Sequence, residues 1–103
     1  FYIHISRRRR KMLRLTDANI YLARDAWLAD PVSAARTYGH ISDWNTSLVT
    51  NMNFLFCANE QVSHACNGKA TKFNDEISRW DTSSVTDMGY MFYFAASFNQ
   101  PLS

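Results

Sequence analysis

The chain has 103 residues, enough for one domain, and 47% of them are apolar, so a hydrophobic core can form. Three glycines and two prolines exclude a collagen-like or low-complexity chain. The net charge of +2 is uneven, because residues 1–15 hold six of the eleven basic residues and none of the nine acids. The mildly acidic remainder argues against a nucleic-acid groove in the folded part, and no nucleic-acid partner is expected.

Residues 1–15 are predicted to form a basic, disordered tail. The basic run at residues 7–11 could also bind anionic lipids or nucleic acid, or mark a protease cleavage site. It has no interleaved aromatic residues that would stack on bases. Residues 1–5 are short and apolar, and could be the end of a signal or anchor segment. Membrane contact is therefore expected only through this tail.

Residues 16–39 are predicted to form a pair of helices. Thr16 suits the start of a first helix, whose apolar residues include Ile20 and Trp27. Asp30 and Pro31 would end it and begin a second helix, which Gly39 would end. Because the first unit of a repeat array needs its apolar side covered, this pair is interpreted as an N-terminal helical cap.

An internal repeat follows. Residues 41–56 align with residues 77–92 at an offset of 36, and nine of the sixteen positions are identical. A second alignment, of residues 73–78 with 98–103, has an offset of 25. The repeat is therefore about 25 residues long, and its first copy carries an inserted loop at about residues 57–72.

Within each copy, apolar residues recur at helical spacing after a polar stretch that suits a helix start. These residues include Val49, Met52 and Phe56 in the first copy, and Val85, Met88 and Phe92 in the second. Each unit is therefore predicted to be one short helix plus one short extended segment. Residues 40–103 would then be two repeats of an α/β solenoid, truncated at the C-terminus.

Several repeated residues have both a structural and a functional interpretation. Trp44 and Trp80 could be core residues or a stacked platform for sugar rings, and the core is favoured. Asn74 and Asn99 could bond the backbone of the next unit or ligate calcium, and too few further oxygen ligands occur at fixed spacing for calcium. The predicted repeat core comprises Trp44, Val49, Met52, Phe56, Phe73, Ile77, Trp80, Val85, Met88, Phe92 and Phe98.

The inserted loop contains both cysteines, Cys57 and Cys66. A disulfide that closes the loop and a pair of free thiols are equally consistent with the sequence. A structural metal would need more ligands than these thiolates and His64 supply, so no metal or cofactor is expected. Residues 45–47 form a glycosylation sequon at Asn45, although Asn45 also suits a helix start.

No enzymatic activity is predicted. The three histidines, His4, His40 and His64, stand in unrelated contexts, and none lies in a known nucleophile motif. A catalytic pair of His64 with Cys66 would sit in a polar loop, which seldom gives the orientation that nucleophilic catalysis needs.

The motif at residues 80–92, followed by the Phe-Asn-Gln-Pro-Leu-Ser of residues 98–103, resembles the BspA-like surface-protein repeat. This repeat is also known as a domain of unknown function first noted in mycoplasma lipoproteins. The resemblance covers roughly residues 40–103, and the segment before them is similar to what precedes such arrays in algal and protist members. It implies a leucine-rich-repeat-like solenoid at the cell surface, without catalytic residues.

The expected function is accordingly a non-catalytic adhesion or protein-interaction module, located extracellularly or at the cell surface. The alternatives are a structural accessory subunit of a larger complex and a carbohydrate-binding module that uses the repeated Trp. The expected partner is a protein or cell-surface ligand. Further repeats or a partner chain are expected on the C-terminal edge of the array, where no cap is predicted.

Overall fold

The computed structural model describes residues 14–102 of the chain. Most of the tail predicted over residues 1–15 therefore lies outside the described residues, as do His4 and Ser103. Leu15 belongs to the folded body, since it is only 1% exposed and its amide donates to the carbonyl of Asn45 at 2.9 Å.

Two consecutive helices come first. Helix α1 spans Ile20–Ala29 and helix α2 spans Pro31–Tyr38. The carboxylate of Asp30, between them, accepts a hydrogen bond from the amide of Ser33 and so caps α2. Gly39 ends α2 with a φ of 80°, which glycine adopts without steric cost. No helix among residues 14–102 is long and apolar enough to cross a membrane.

The predicted α/β leucine-rich-repeat-like solenoid is wrong. After α2, the described residues contain two 3-10 helices, Ile41–Asp43 and Gly68–Lys72, and no strand. Within residues 14–102 the strand-like features are isolated parallel bridges, one of which joins Asn51 to Asp87. Residues 49–56 and 85–92, which span the apolar residues predicted to lie on helices, form turns and irregular backbone instead.

Tight turns explain the apolar spacing that resembled a helix. In residues 41–58, the first unit, the amides of Val49 and Leu55 donate to carbonyls three residues earlier, those of Thr46 and Met52. Side chains at every third position thus face the same way, and all four of these residues are fully buried. The corresponding residues 77–94, the second unit, contain the same bonds from Val85 and Met91.

Asparagine and aspartate side chains favour these turns over a helix. Asn45 and Asn51 each accept a hydrogen bond from the amide two residues later. Asp81 and Asp87 do the same in the second unit. Such short side chains offer the backbone a local alternative to helical bonding, which is why they suit turns.

One hydrophobic core joins the helices to both units. Most predicted core residues are buried: Trp44, Val49, Met52, Phe56, Phe73, Ile77 and Trp80. The prediction does not hold for Met88, which is 46% exposed. Val85, Phe92 and Phe98 are half-buried and pack against the core from outside. These four residues belong to the second unit or follow it, on the side where no further described segment covers them.

Candidate functional site

The two units lie side by side and are joined by a regular set of backbone hydrogen bonds. Alternate amides of the first unit donate to carbonyls of the second, with N···O distances of 2.7–2.9 Å: Met52 to Asp87, Phe54 to Gly89, Phe56 to Met91 and Ala58 to Tyr93. The intervening amides of Leu55 and Cys57 donate within their own unit, to carbonyls three residues back. Each unit therefore has a donor edge, formed by the alternate amides, and an acceptor edge, formed by the carbonyls.

Left-handed backbone at equivalent aromatic residues gives both units the same local shape. Phe54 has a φ of 62° and Tyr90 a φ of 55°. This conformation is rare for bulky side chains. The two rings stack, with centroids 5.5 Å apart and an angle of 5° between the ring planes. Gly89 allows the close approach, because a Cβ there would lie 2.8 Å from Oδ1 of Asn53.

The acceptor edge of the first unit is covered by side chains of α1. The Tyr21 hydroxyl donates to the carbonyl of Asn53 at 2.6 Å, and Nη1 of Arg24 donates to the carbonyl of Leu55 at 2.8 Å. The equivalent carbonyls of the second unit, Gly89 and Met91, accept amides of the first unit. Side chains of the helix thus replace the amides that a preceding unit would supply.

The electrostatics of this covered edge fit its hydrogen bonds. Burial raises the pKa of Tyr21, which favours the protonated hydroxyl that acts as donor. Next to it, hydrogen bonds from the side chain and amide of Thr50 lower the pKa of Asp17. Asp17 also accepts from the amide of Asn51, so the carboxylate binds amides at the start of the turn. In the second unit, hydrogen bonds from Ser83 lower the pKa of Asp81.

The donor edge of the second unit is open. Its alternate amides, which correspond to the four bonded amides of the first unit, belong to Met88, Tyr90, Phe92 and Phe94. None of the four has an acceptor among residues 14–102. The intervening amides of Gly89, Met91 and Tyr93 are bonded locally, as in the first unit. We call the four residues with unpaired amides the open edge.

An apolar groove of about 310 Å³ adjoins the open edge. Its apolar lining comprises Met52, Ile77, Trp80, Met88, Met91, Phe92 and Leu102. The other two residues of the open edge, Tyr90 and Phe94, are 63% and 60% exposed and do not line the groove. The open edge therefore combines unpaired backbone donors with a concave apolar surface, and this combination is the candidate binding site.

The two repeated tryptophans do not present a platform to solvent. Trp44 and Trp80 are 3% and 7% exposed, and they stack on each other with ring centroids 6.0 Å apart. Each indole nitrogen donates to a carbonyl, that of Trp44 to Gly39 and that of Trp80 to Ile41. Trp80 contributes to the wall of the groove while its ring remains largely buried.

The inserted loop is closed by a disulfide between Cys57 and Cys66. It packs against α1 rather than projecting away, because Arg24 donates to the carbonyl of Ala65 and Asn67 donates to Asp25. Since the sulfur of Cys66 is bonded, it is not a thiolate nucleophile for the exposed His64. Among residues 14–102 no group of three acidic, His or Cys side chains could hold a metal ion.

The predicted asparagine sites have structural partners. Oδ1 of Asn74 accepts from the amide of Asn99 at 2.7 Å, so it links the two copies of the Phe-Asn motif. Oδ1 of Asn45 accepts from both the amide and the hydroxyl of Ser47. Thr46, the middle residue of the sequon, is fully buried and donates to the carbonyl of Asp81.

Sequence reasoning missed the residues that cover the acceptor edge. Arg24 is 3% exposed although it is charged, and it lies on the same face of α1 as Ile20 and Trp27. A basic residue on the apolar face of a helix could have indicated this contact, because a buried charge requires hydrogen-bond or ionic partners. Asp43 and Arg79 form an ion pair and occupy equivalent positions of the two units. The opposite charges at aligned positions could have indicated this contact.

Comparison with known proteins identifies the family of the chain. Residues 32–103 match the family described as "Mycoplasma protein of unknown function, DUF285". No curated protein and no solved structure matches the chain significantly. Because the match covers well over half of the sequence, including both units, the chain belongs to the DUF285 family.

Proposed function

We propose that the chain is a non-catalytic protein-interaction module of the BspA-like type, acting at the cell surface or outside the cell. The observation that supports this most directly is the open edge, which has four unpaired amides and two residues, Met88 and Phe92, that line an apolar groove. An exposed apolar patch with unsatisfied backbone donors beside it is typical of an interaction surface.

The disulfide between Cys57 and Cys66 supports the extracellular location. Stable disulfides form in oxidising compartments and are rare in the cytosol.

A structural accessory subunit would use the same open edge, but in a permanent contact. The two roles differ in whether the bound partner exchanges. An adhesion module releases and rebinds its partner, whereas a permanent subunit does not. The carbohydrate-binding alternative has less support, because the indole rings of Trp44 and Trp80 cover each other.

Adhesion of protein-coated beads to intact cells of the source organism tests this proposal. We expect Met88→Lys to abolish most of the adhesion, because it places a charge at the groove where Met88 is 46% exposed. The matched control is Leu22→Lys on α1, where the side chain is 64% exposed and does not line the groove. Both variants should keep the melting temperature of the parent protein.

Soluble protein added in excess should displace the beads if the module exchanges its partner. Adhesion that is unchanged by Met88→Lys, or lost equally with Leu22→Lys, would remove the groove from the function. Irreversible attachment would favour the accessory subunit. Turnover of peptide, ester or glycoside substrates by the purified chain would overturn the non-catalytic assignment.

A further inference from the structure

We infer that the open edge recognises the main chain of a polypeptide segment, which it binds in parallel through carbonyls at alternate residues. This inference rests on the proposed interaction function and specifies the chemistry of the partner. The molecule already contains one such contact, in which the second unit presents four alternate carbonyls to the first.

The open edge has the geometry of the edge that is already occupied. Tyr90 repeats the left-handed backbone of Phe54, and the local bonds around both residues are the same. The alternate amides of the second unit therefore leave the backbone in the same direction as those of Met52 and Phe56. The alternate amides of the first unit point to carbonyls of the second unit. The equivalent amides of the second unit therefore point to the surface of the molecule.

The side chains of the partner segment follow from the same comparison. Tyr90 lies between Gly89 and Met91, whose carbonyls accept amides of the first unit. The ring of Tyr90 stacks on the ring of Phe54 in the first unit. Tyr90 is 63% exposed, with the ring of Tyr93 packed edge to face with it, so its uncovered surface can take a further ring. A segment with an aromatic residue between two accepting carbonyls would place its ring on Tyr90 and its apolar neighbours in the groove.

A second folded copy of this chain does not fit as the occupant. The carbonyls that it would have to present belong to its first unit, where Tyr21 and Arg24 of α1 already bond those of Asn53 and Leu55. The amide of Asn67 bonds that of Cys57. The amide of Leu15 likewise occupies the carbonyl of Asn45. The partner is therefore a polypeptide segment whose carbonyls are free, and not the folded chain itself.

Amide hydrogen exchange, measured residue by residue by NMR, tests main-chain recognition directly. The probe is a synthetic peptide with the sequence of residues 81–99, which contains the four accepting carbonyls and the aromatic residue between them. In the free protein, the amides of Met88, Tyr90, Phe92 and Phe94 should exchange fast, and those of their first-unit equivalents slowly. At about 1 mM peptide, the four open-edge amides should slow by at least about tenfold.

The alternation of the effect is the decisive readout. The intervening amides of Met91 and Tyr93 are bonded locally in the free protein, so their exchange should change much less. A peptide of the same composition in scrambled order should protect none of these amides. Binding through side chains alone would not produce a pattern that alternates along the backbone.

The outcomes separate this inference from the proposed function. No protection by the peptide, or uniform protection without alternation, overturns main-chain recognition. If adhesion nevertheless depends on Met88, the interaction function stands and only the partner chemistry is wrong. Alternating protection without any adhesion to cells would support the recognition chemistry and reject the adhesion role.

Discussion

The two units have similar sequences and the same turns, yet their side chains differ sharply in burial. Met52 is fully buried, whereas its equivalent Met88 is 46% exposed. Phe56 is fully buried, whereas its equivalent Phe92 is only half-buried. The first unit has α1 on one side and the second unit on the other, while the second unit has a described neighbour on one side only. Burial is therefore conferred by the neighbour and not by the repeat itself.

Substitution of the equivalent methionines gives the largest expected difference between the units. Met52→Ala should cost about 2–5 kcal/mol of unfolding free energy, because it leaves a cavity in a fully packed site. Met88→Ala should cost within about 0.5 kcal/mol, because solvent already reaches that side chain. Urea unfolding of the two variants measures the contrast. Equal losses would mean that Met88 is covered in solution, by self-association or by another segment.

Removal of the arginine on the covered acceptor edge gives an intermediate effect. Arg24→Met keeps much of the side-chain stem but leaves the carbonyls of Leu55 and Ala65 without donors. Hydrogen bonds from charged groups contribute about 1.5–3 kcal/mol each, so a loss of at least about 2 kcal/mol is expected. The control is Arg36→Met on the exposed side of α2, which should be nearly neutral. Thermal unfolding at several protein concentrations would reveal whether an uncovered edge also causes association.

Acid sensitivity gives the smallest effect and also concerns the covered edge. Hydrogen bonds from Thr50 lower the pKa of Asp17 in the folded state. The stabilisation by this carboxylate is thus fully present above its unfolded pKa of about 4 and is lost as the pH falls through the folded pKa. Asp17→Asn should reduce the slope of stability against pH in that acidic range. The urea midpoint of each protein is measured as the pH falls. If the two midpoints decrease identically, Asp17 contributes nothing to the pH dependence of stability.

Local sequence signals predicted the boundary between the helices and the end of α2, but α1 begins at Ile20 and not near Thr16. They predicted the repeat units poorly. Asp30 and Pro31 mark the boundary between α1 and α2, and Gly39 ends α2, because these residues act through their own backbone. The spacing of Val49 and Met52 fitted a helix and also fits a series of tight turns, since both place every third side chain on one face. Periodicity alone cannot separate these two structures.

The candidate site was only partly predictable for a related reason. The sequence predicted an edge without a cap beside the second repeat, and four amides of the second unit have no acceptor among residues 14–102. The direction of its amides depends on left-handed backbone at Phe54 and Tyr90, and aromatic residues give no sign of that conformation. The disulfide was also left open, because it requires the two cysteines to approach in space, and their Cα atoms lie 4.8 Å apart.

The cover that Tyr21 and Arg24 place over the acceptor edge also limits stoichiometry. A molecule with a free donor edge and a free acceptor edge would join head to tail, and such contacts build open-ended filaments when the geometry does not close. Here the acceptor end is occupied within the molecule itself. A second copy of the folded part therefore meets the carbonyls of Asn53 and Leu55 already bonded, so this contact does not join copies head to tail.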